Sequence, residues 1–128
     1  MKYLLDTNII VDHLRKKKII DEKELEVGAV ISIITLGELL YGVYKSDDPG
    51  KTLTKLEENL SLLSLGIENL NYSITVEFSK IKADLEKSGQ RIEDFDLLIA
   101  ATAKVLNLTL VTRNLDHFKR IKGLKIAD

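Results

Sequence analysis

The sequence predicts an α/β fold in which a central, mostly parallel sheet is covered by helices on both faces, making a three-layer sandwich within one domain, residues 1–128. Three observations predict it. Short apolar runs alternate with longer stretches of helical spacing, the pattern of βαβ units. The runs are apolar at successive rather than alternate positions, as strands buried on both faces require. With 45% hydrophobic residues and one proline among 128, the chain suits a helix-rich globule large enough for one core.

The first run, "KYLLD", is a strand ending in an acid, and "IIVDHLRK" then turns to helical spacing. "AVISI" (Ala29 to Ile33) is a second, β-branched strand, followed by the helix "TLGELLYGVYK". Asp48, Pro49 and Gly50 punctuate the chain before the helical "KTLTKLEENLSLL", and "LSLGIE" is a candidate third strand. Ile74, Phe78, Ile81 and Leu85 form the apolar stripe of a helix closed by Gly89. "DLLIAATAKVLN" is apolar almost all round, so it is a helix buried on most sides; "LTLVT" is a strand stopping at Thr112, and "LKIA" supplies a last edge strand.

Composition excludes several functions. There is no cysteine, and His13 and His117 are the only histidines, so disulfides, thiolate sites and structural zinc are out of reach. Few aromatics leave no platform for stacking bases. No run reaches membrane-spanning length and the N-terminus lacks a signal-peptide core, so a cytoplasmic protein without a membrane partner is expected. A net charge of −1 argues against indiscriminate coating of nucleic acid. Basic residues nevertheless cluster at Arg15 to Lys18 and at Arg113, Lys119, Arg120, Lys122 and Lys125, with Asp21, Glu22, Glu24 and Glu26 between; solvated surface explains either cluster alone.

The acids fall more tellingly. Asp6 ends the first strand, Glu38 lies in the first turn of the helix after the second, Asp96 opens the buried helix, and Asp116 lies four residues beyond Thr112. In a parallel sheet all four belong to the carboxyl edge, where such sheets place their sites. Each acid also has a local reading. Asp6 and Asp96 suit helix N-termini, Thr35 with Glu38 fits a capping box, and Asp116 could cap the turn "HFKRI". Capping explains the residue types singly, not the arrival of acids from separate strand ends on one side. Carboxylates within about 4–6 Å raise one another's pKa and call for a cation. With oxygen donors only, that cation is a hard one, Mg²⁺ or Mn²⁺. Such an ion suits phosphodiester hydrolysis, and the nearby basic residues would offset repulsion of a polyanion.

"YLLDTNIIVD", "ISIITLGELLYGV", "IEDFDLLIAATA" and "LVTRNLDHFKRIKGL", in this order, resemble the PIN-domain ribonucleases, in particular the VapC-type toxins of toxin–antitoxin pairs. The likeness runs from Lys2 to about Leu124. It implies an α/β/α sandwich, a Mg²⁺- or Mn²⁺-dependent endoribonuclease, homodimers, and a cognate antitoxin that enters the acidic groove. By position, Asp6, Glu38 and Asp96 match the acids that hold the metal in that family; Thr7 and Asn8 match polar neighbours, and Thr112 the polar residue ending the last core strand. A fourth family acid falls at the position of Asn114 or His117 here, with Asp116 between them, so Asp116 is expected to reach the metal through water. Asp94 is expected to cap its helix or to contact a metal-bound water, and Ala100, Ala101 and Ala103 to let that helix approach closely. His13 reads as surface or partner interface, His117 as a packed or exposed neighbour of Phe118, and Tyr41 and Tyr44 as a dimer or antitoxin face, with core packing an equal reading of Leu39, Leu40 and Val43 beside them.

Two other classes compete. A PIN fold without catalysis, acting as a binding or regulatory subunit, is compatible with the missing fourth acid. A receiver-like phosphoacceptor needs paired acids after the first strand and a lysine ending a later one, where this chain has a single acid and "TRN". DNA as substrate is not excluded by the chemistry; the choice of RNA rests on the resemblance.

Overall fold

The computed structural model describes residues 2–128. Five strands, β1 (Tyr3–Leu5), β2 (Ala29–Ser32), β3 (Gly66–Glu68), β4 (Thr109–Val111) and β5 (Ile126–Ala127), form one sheet in the order β3-β2-β1-β4-β5. All four pairings are parallel. Around it lie α1 (Thr7–Leu14), α2 (Glu22–Val27), α3 (Ile33–Lys45), α4 (Pro49–Leu62), α5 (Tyr72–Lys87), α6 (Asp94–Val105) and α7 (Leu115–Phe118).

The continuous apolar runs make sense once both faces of the sheet are seen to be covered. Leu4, paired with Val30 and Leu110, faces one side, where Ile74, Ile81 and Leu85 of α5, the apolar face of α6, and Phe118 close over it. Leu5, Ile31 and Val111 face the other, against Ile9 and Ile10 of α1, Leu39 and Val43 of α3 and Leu56 of α4. Adjacent strand residues thus enter opposite cores. Each large side chain buried in this way contributes about 1.5–3 kcal/mol.

Helix ends follow local chemistry. Asn71 caps α5 by accepting the Ile74 amide at 2.9 Å, and Gly89, at φ 71°, ends that segment with its amide on the Glu86 carbonyl. Asp48 caps α4 with Pro49 at its first position. Three boundaries differ from the sequence reading. The first helix starts at Thr7, directly on Asp6; the second strand yields at Ile33, because the Ser32 hydroxyl accepts the Ile34 amide at 3.0 Å and starts α3; α6 begins at Asp94. The short α2 was not anticipated: it has no buried residue and hence no apolar stripe, its one signal being the Asp21 cap. Among the described residues, no helix is long and apolar enough to cross a membrane.

Candidate active site

The strand order puts the ends of β1, β2 and β4 side by side, and a cleft of about 330 Å³ opens there, lined by Asp6, Thr7, Asn8, Val11, Glu38, Asp96, Arg113 and Asn114.

Asp6 is delivered by β1, whose end is locked to β4 by the Asp6 amide donating to the Val111 carbonyl at 2.9 Å. Asp6 is 5% exposed; its carboxylate accepts the Thr7 amide at 2.8 Å and the Thr112 hydroxyl at 2.7 Å. Burial pushes its pKa above the ordinary carboxylate value, and those two bonds, with the charges of His117 and Arg113, oppose the rise without cancelling it. Asp6 therefore both caps α1 and faces the cleft.

Glu38 lies in the second turn of α3, not the first, and the expected capping box does not form. Ser32 is the cap, and Thr35 is fully buried. Glu38 instead accepts the Thr7 hydroxyl at 2.7 Å, while Thr7 Oγ1 stands 3.0 Å from Thr35 Oγ1. A hydroxyl has one proton, so Thr7 donates to Glu38 and accepts from Thr35. This chain of three fixes Glu38 relative to Asp6, since Thr7 follows Asp6 directly.

Asp96, the third residue of α6, sits where unpaired N–H groups and the helix dipole favour negative charge. Burial nevertheless raises its pKa, and the charge of Asp6 adds to that; His117 opposes, while Glu38 and Glu93 push further upward. His117 Nε2 lies 3.2 Å from Asp96 Oδ2, close enough for attraction but off the hydrogen-bond line, so this buried nitrogen has no hydrogen-bond partner. Its ring stands edge-on to Phe118 at 5.6 Å.

Two expected acids lie elsewhere. Asp116 side chain is 92% exposed and ion-paired with Lys119 at 2.8 Å, a bond that holds its pKa below the ordinary value. It does not reach the cleft, and the expectation that it completes the site is corrected. Asp94 neither caps its helix nor enters the cleft; it pairs with Lys82 at 2.9 Å on the surface. His13 is no free surface group, because its Nδ1 accepts the Ile20 amide at 3.1 Å. Tyr41 and Tyr44 are 68% and 67% exposed. Arg113, counted beforehand only as part of a basic cluster, proves to line the cleft; its position next to the strand-ending Thr112 was the available signal.

The donors on offer are carboxylate and hydroxyl oxygens, and the negative charges of Asp6 and Glu38, which hold the Asp96 pKa up, suit a hard divalent cation. The three line the cleft without converging on one point: among the described residues, no three His, Cys, Asp or Glu side chains are placed to hold an ion together as they stand.

Thr112 is fully buried, and its hydroxyl both donates to Asp6 and accepts the Asn114 amide at 3.0 Å. Thr112→Val keeps the shape and removes both bonds. The expected result is a loss of about 1–3 kcal/mol in urea unfolding and roughly 10–100-fold in cleavage rate, as when a group orienting a ligand is lost. Unchanged values for both would show that Thr112 does not hold Asp6 in place.

The sequence profile described as PIN domain matches residues 3–124. The chain is similar to the ribonuclease VapC2 of Rickettsia felis, 40% identical over 97% of this chain and 95% of that protein. It is similar also to the tRNA(fMet)-specific endonuclease VapC of Shigella flexneri, 31% identical over 100% and 98%. Among solved structures, that of VapBC2 from Rickettsia felis bound to a DNA fragment from their promoter contains a chain that superposes with a TM-score of 0.89 at 37% identity, covering 99% of this chain and 98% of that one. A cleft of acids at the carboxyl edge of a parallel sheet and likeness over nearly the full length lead to one conclusion: the chain belongs to the PIN-domain family, alongside proteins named VapC.

Proposed function

We propose that residues 1–128 form one nuclease domain that hydrolyses RNA phosphodiester bonds as the toxin of a VapBC-type pair, with Mg²⁺ or Mn²⁺ held by Asp6, Glu38 and Asp96. The observation that carries this is the presence of three carboxylates, from three separate elements, along one cleft, where burial and the charges of Asp6 and Glu38 hold the Asp96 pKa up. An ion of this kind polarises phosphoryl oxygens and acidifies nearby water. The chain's own residues do the rest. Thr112 and the Thr7 amide fix Asp6, the Thr7 hydroxyl fixes Glu38, and the start of α6, with its unpaired N–H groups, favours the charged form of Asp96. RNA is the substrate because the relatives are named for cutting it. The same reading gives the chain two protein partners, a second copy of itself and a cognate antitoxin.

The outward placement of Asp116 favours one alternative, a PIN fold that binds partners without cutting. Incubation of the purified chain with bulk tRNA separates the two. Cleavage is expected in Mn²⁺ and a fall of on the order of 10³-fold in EDTA, recovered on adding Mn²⁺ back. Cutting that persists undiminished in EDTA would reject the metal-dependent reading, and no cutting under any condition, with no heat of Mn²⁺ binding, would establish the inert one.

A further inference from the structure

One buried carboxylate has no part in the acid cluster. Asp12, on α1, is only 7% exposed, and a charge so placed costs stability unless it is paired. Its partner is Arg113, whose Nε lies 2.9 Å from Asp12 Oδ2. Asn8, one turn earlier on the same helix face, stands against the main chain of the same residue, with its Oδ1 3.5 Å from the Arg113 amide. The residues on either side are tied as well, Thr112 to Asp6 and the Asn114 amide to Thr112. Arg113 is thus held at its backbone and at the root of its guanidinium.

What remains free is the outer part. The Arg113 side chain is 52% exposed, and a single carboxylate can engage only one side of a five-donor fork. Arg113 is also the one cation lining the acidic cleft among the described residues. Three carboxylates repel a polyanionic strand, and a divalent ion leaves one negative charge uncompensated. A guanidinium presents paired N–H groups that match phosphate oxygens, and one already held in place loses less freedom on binding. The lysines of the run after α1 are exposed and offer charge without direction.

We propose that Arg113 is a substrate-binding residue that grips a backbone phosphate of the RNA beside the bond to be cut, and that Asp12 is a positioning residue that aims it. The proposal rests on the RNA-cutting reading above and adds to it a site for the strand. Asp12 then has a reason to be buried and charged: a neutral side chain would fill the space but would not aim the arginine.

Steady-state cleavage of a 5′-fluorescein-labelled single-stranded RNA in Mn²⁺, at several KCl concentrations, tests it. Arg113→Ala is expected to raise KM about tenfold with kcat changed less than about threefold, and to flatten the dependence of log KM on log salt by about 0.7, one phosphate contact on a single strand. Arg113→Lys keeps the charge and so the salt slope, with KM raised about threefold. Asp12→Asn also keeps the slope and raises KM about threefold, but adds nothing in the Arg113→Ala background, since it acts only through that arginine. Arg113→Ala alone leaves Asp12 buried and unpaired; if it melts below the assay temperature, the Asp12→Asn/Arg113→Ala double variant carries the same comparison against Asp12→Asn. An active wild type whose KM and salt slope survive Arg113→Ala overturns the clamp. Additive effects of the two substitutions overturn the aiming role of Asp12. A wild type that cuts no RNA overturns the nuclease reading itself.

Discussion

Asp96→Asn is expected to lower RNA cleavage by on the order of 10³-fold or more while leaving the ion-free protein at least as stable as the wild type. Both halves follow from where the side chain sits. Asn keeps the volume at the head of α6 but removes one of the three negative charges, with those of Asp6 and Glu38, that line the cleft. In the absence of an ion that same charge is a burden, because burial and the charge of Asp6 hold the Asp96 pKa above its ordinary value. An acid with a raised folded-state pKa is protonated more readily folded than unfolded. It therefore subtracts from stability above the folded pKa, and the subtraction disappears as pH falls through that value to the unfolded value of 3.8. Neutralising such a group gains roughly 0.5–2 kcal/mol, less whatever the helix dipole had contributed. Thermal melts in EDTA should show Asp96→Asn melting higher than wild type near neutral pH, with the gap closing on acidification. Adding Mn²⁺ should reverse the order, raising the wild type and leaving the variant in place. Equal response of both proteins to Mn²⁺ would show that Asp96 is not a ligand.

Phe118→Ala carries the largest expected cost in stability, about 3–5 kcal/mol, a large part of the 5–15 kcal/mol available to a domain of this kind. Phe118 is fully buried and is the only buried residue of the four-residue α7. It packs in the core that also holds Leu110, Ala100 and Ile121, so its ring is what ties α7 itself to that core. Loss of the ring leaves a cavity and frees His117, whose imidazole leans on Phe118 and faces Asp96. Urea unfolding measures the first effect. A fall of less than about 1 kcal/mol would mean that α7 is held by something other than this ring. Leu62→Ala, at a position 83% exposed, is the control and should stay within about 0.5 kcal/mol.

The strand ends were legible in the sequence because a buried parallel strand has no choice but to be apolar throughout, and "YLL" and "AVIS" show it. The acids at Asp6 and Asp96 were legible for the same reason, as the first charges after apolar runs or before them. Glu38 was placed one turn too early. Thr35 and Glu38 have the spacing of a capping box, and only the Ser32 hydroxyl on the Ile34 amide shows that α3 had already begun. Asp116 was misplaced for want of a rotation. Residues two apart on a helix point about 200° apart, so once Phe118 is committed to the core Asp116 must face water. The apolar Phe118 was the signal available. The pairing of Asp12 with Arg113 gave no signal at all, since nothing local links two residues from opposite ends of the chain.

The central position of β1 has a consequence for biosynthesis. β1 needs β4, which is made after it, as its neighbour, and Asp6 accepts a hydrogen bond from Thr112, which follows 106 residues later. Until β4 and Thr112 have been made, Asp6 has neither that flanking strand nor the hydroxyl that sets its angle. A nascent chain that has not reached β4 therefore cannot assemble the cleft.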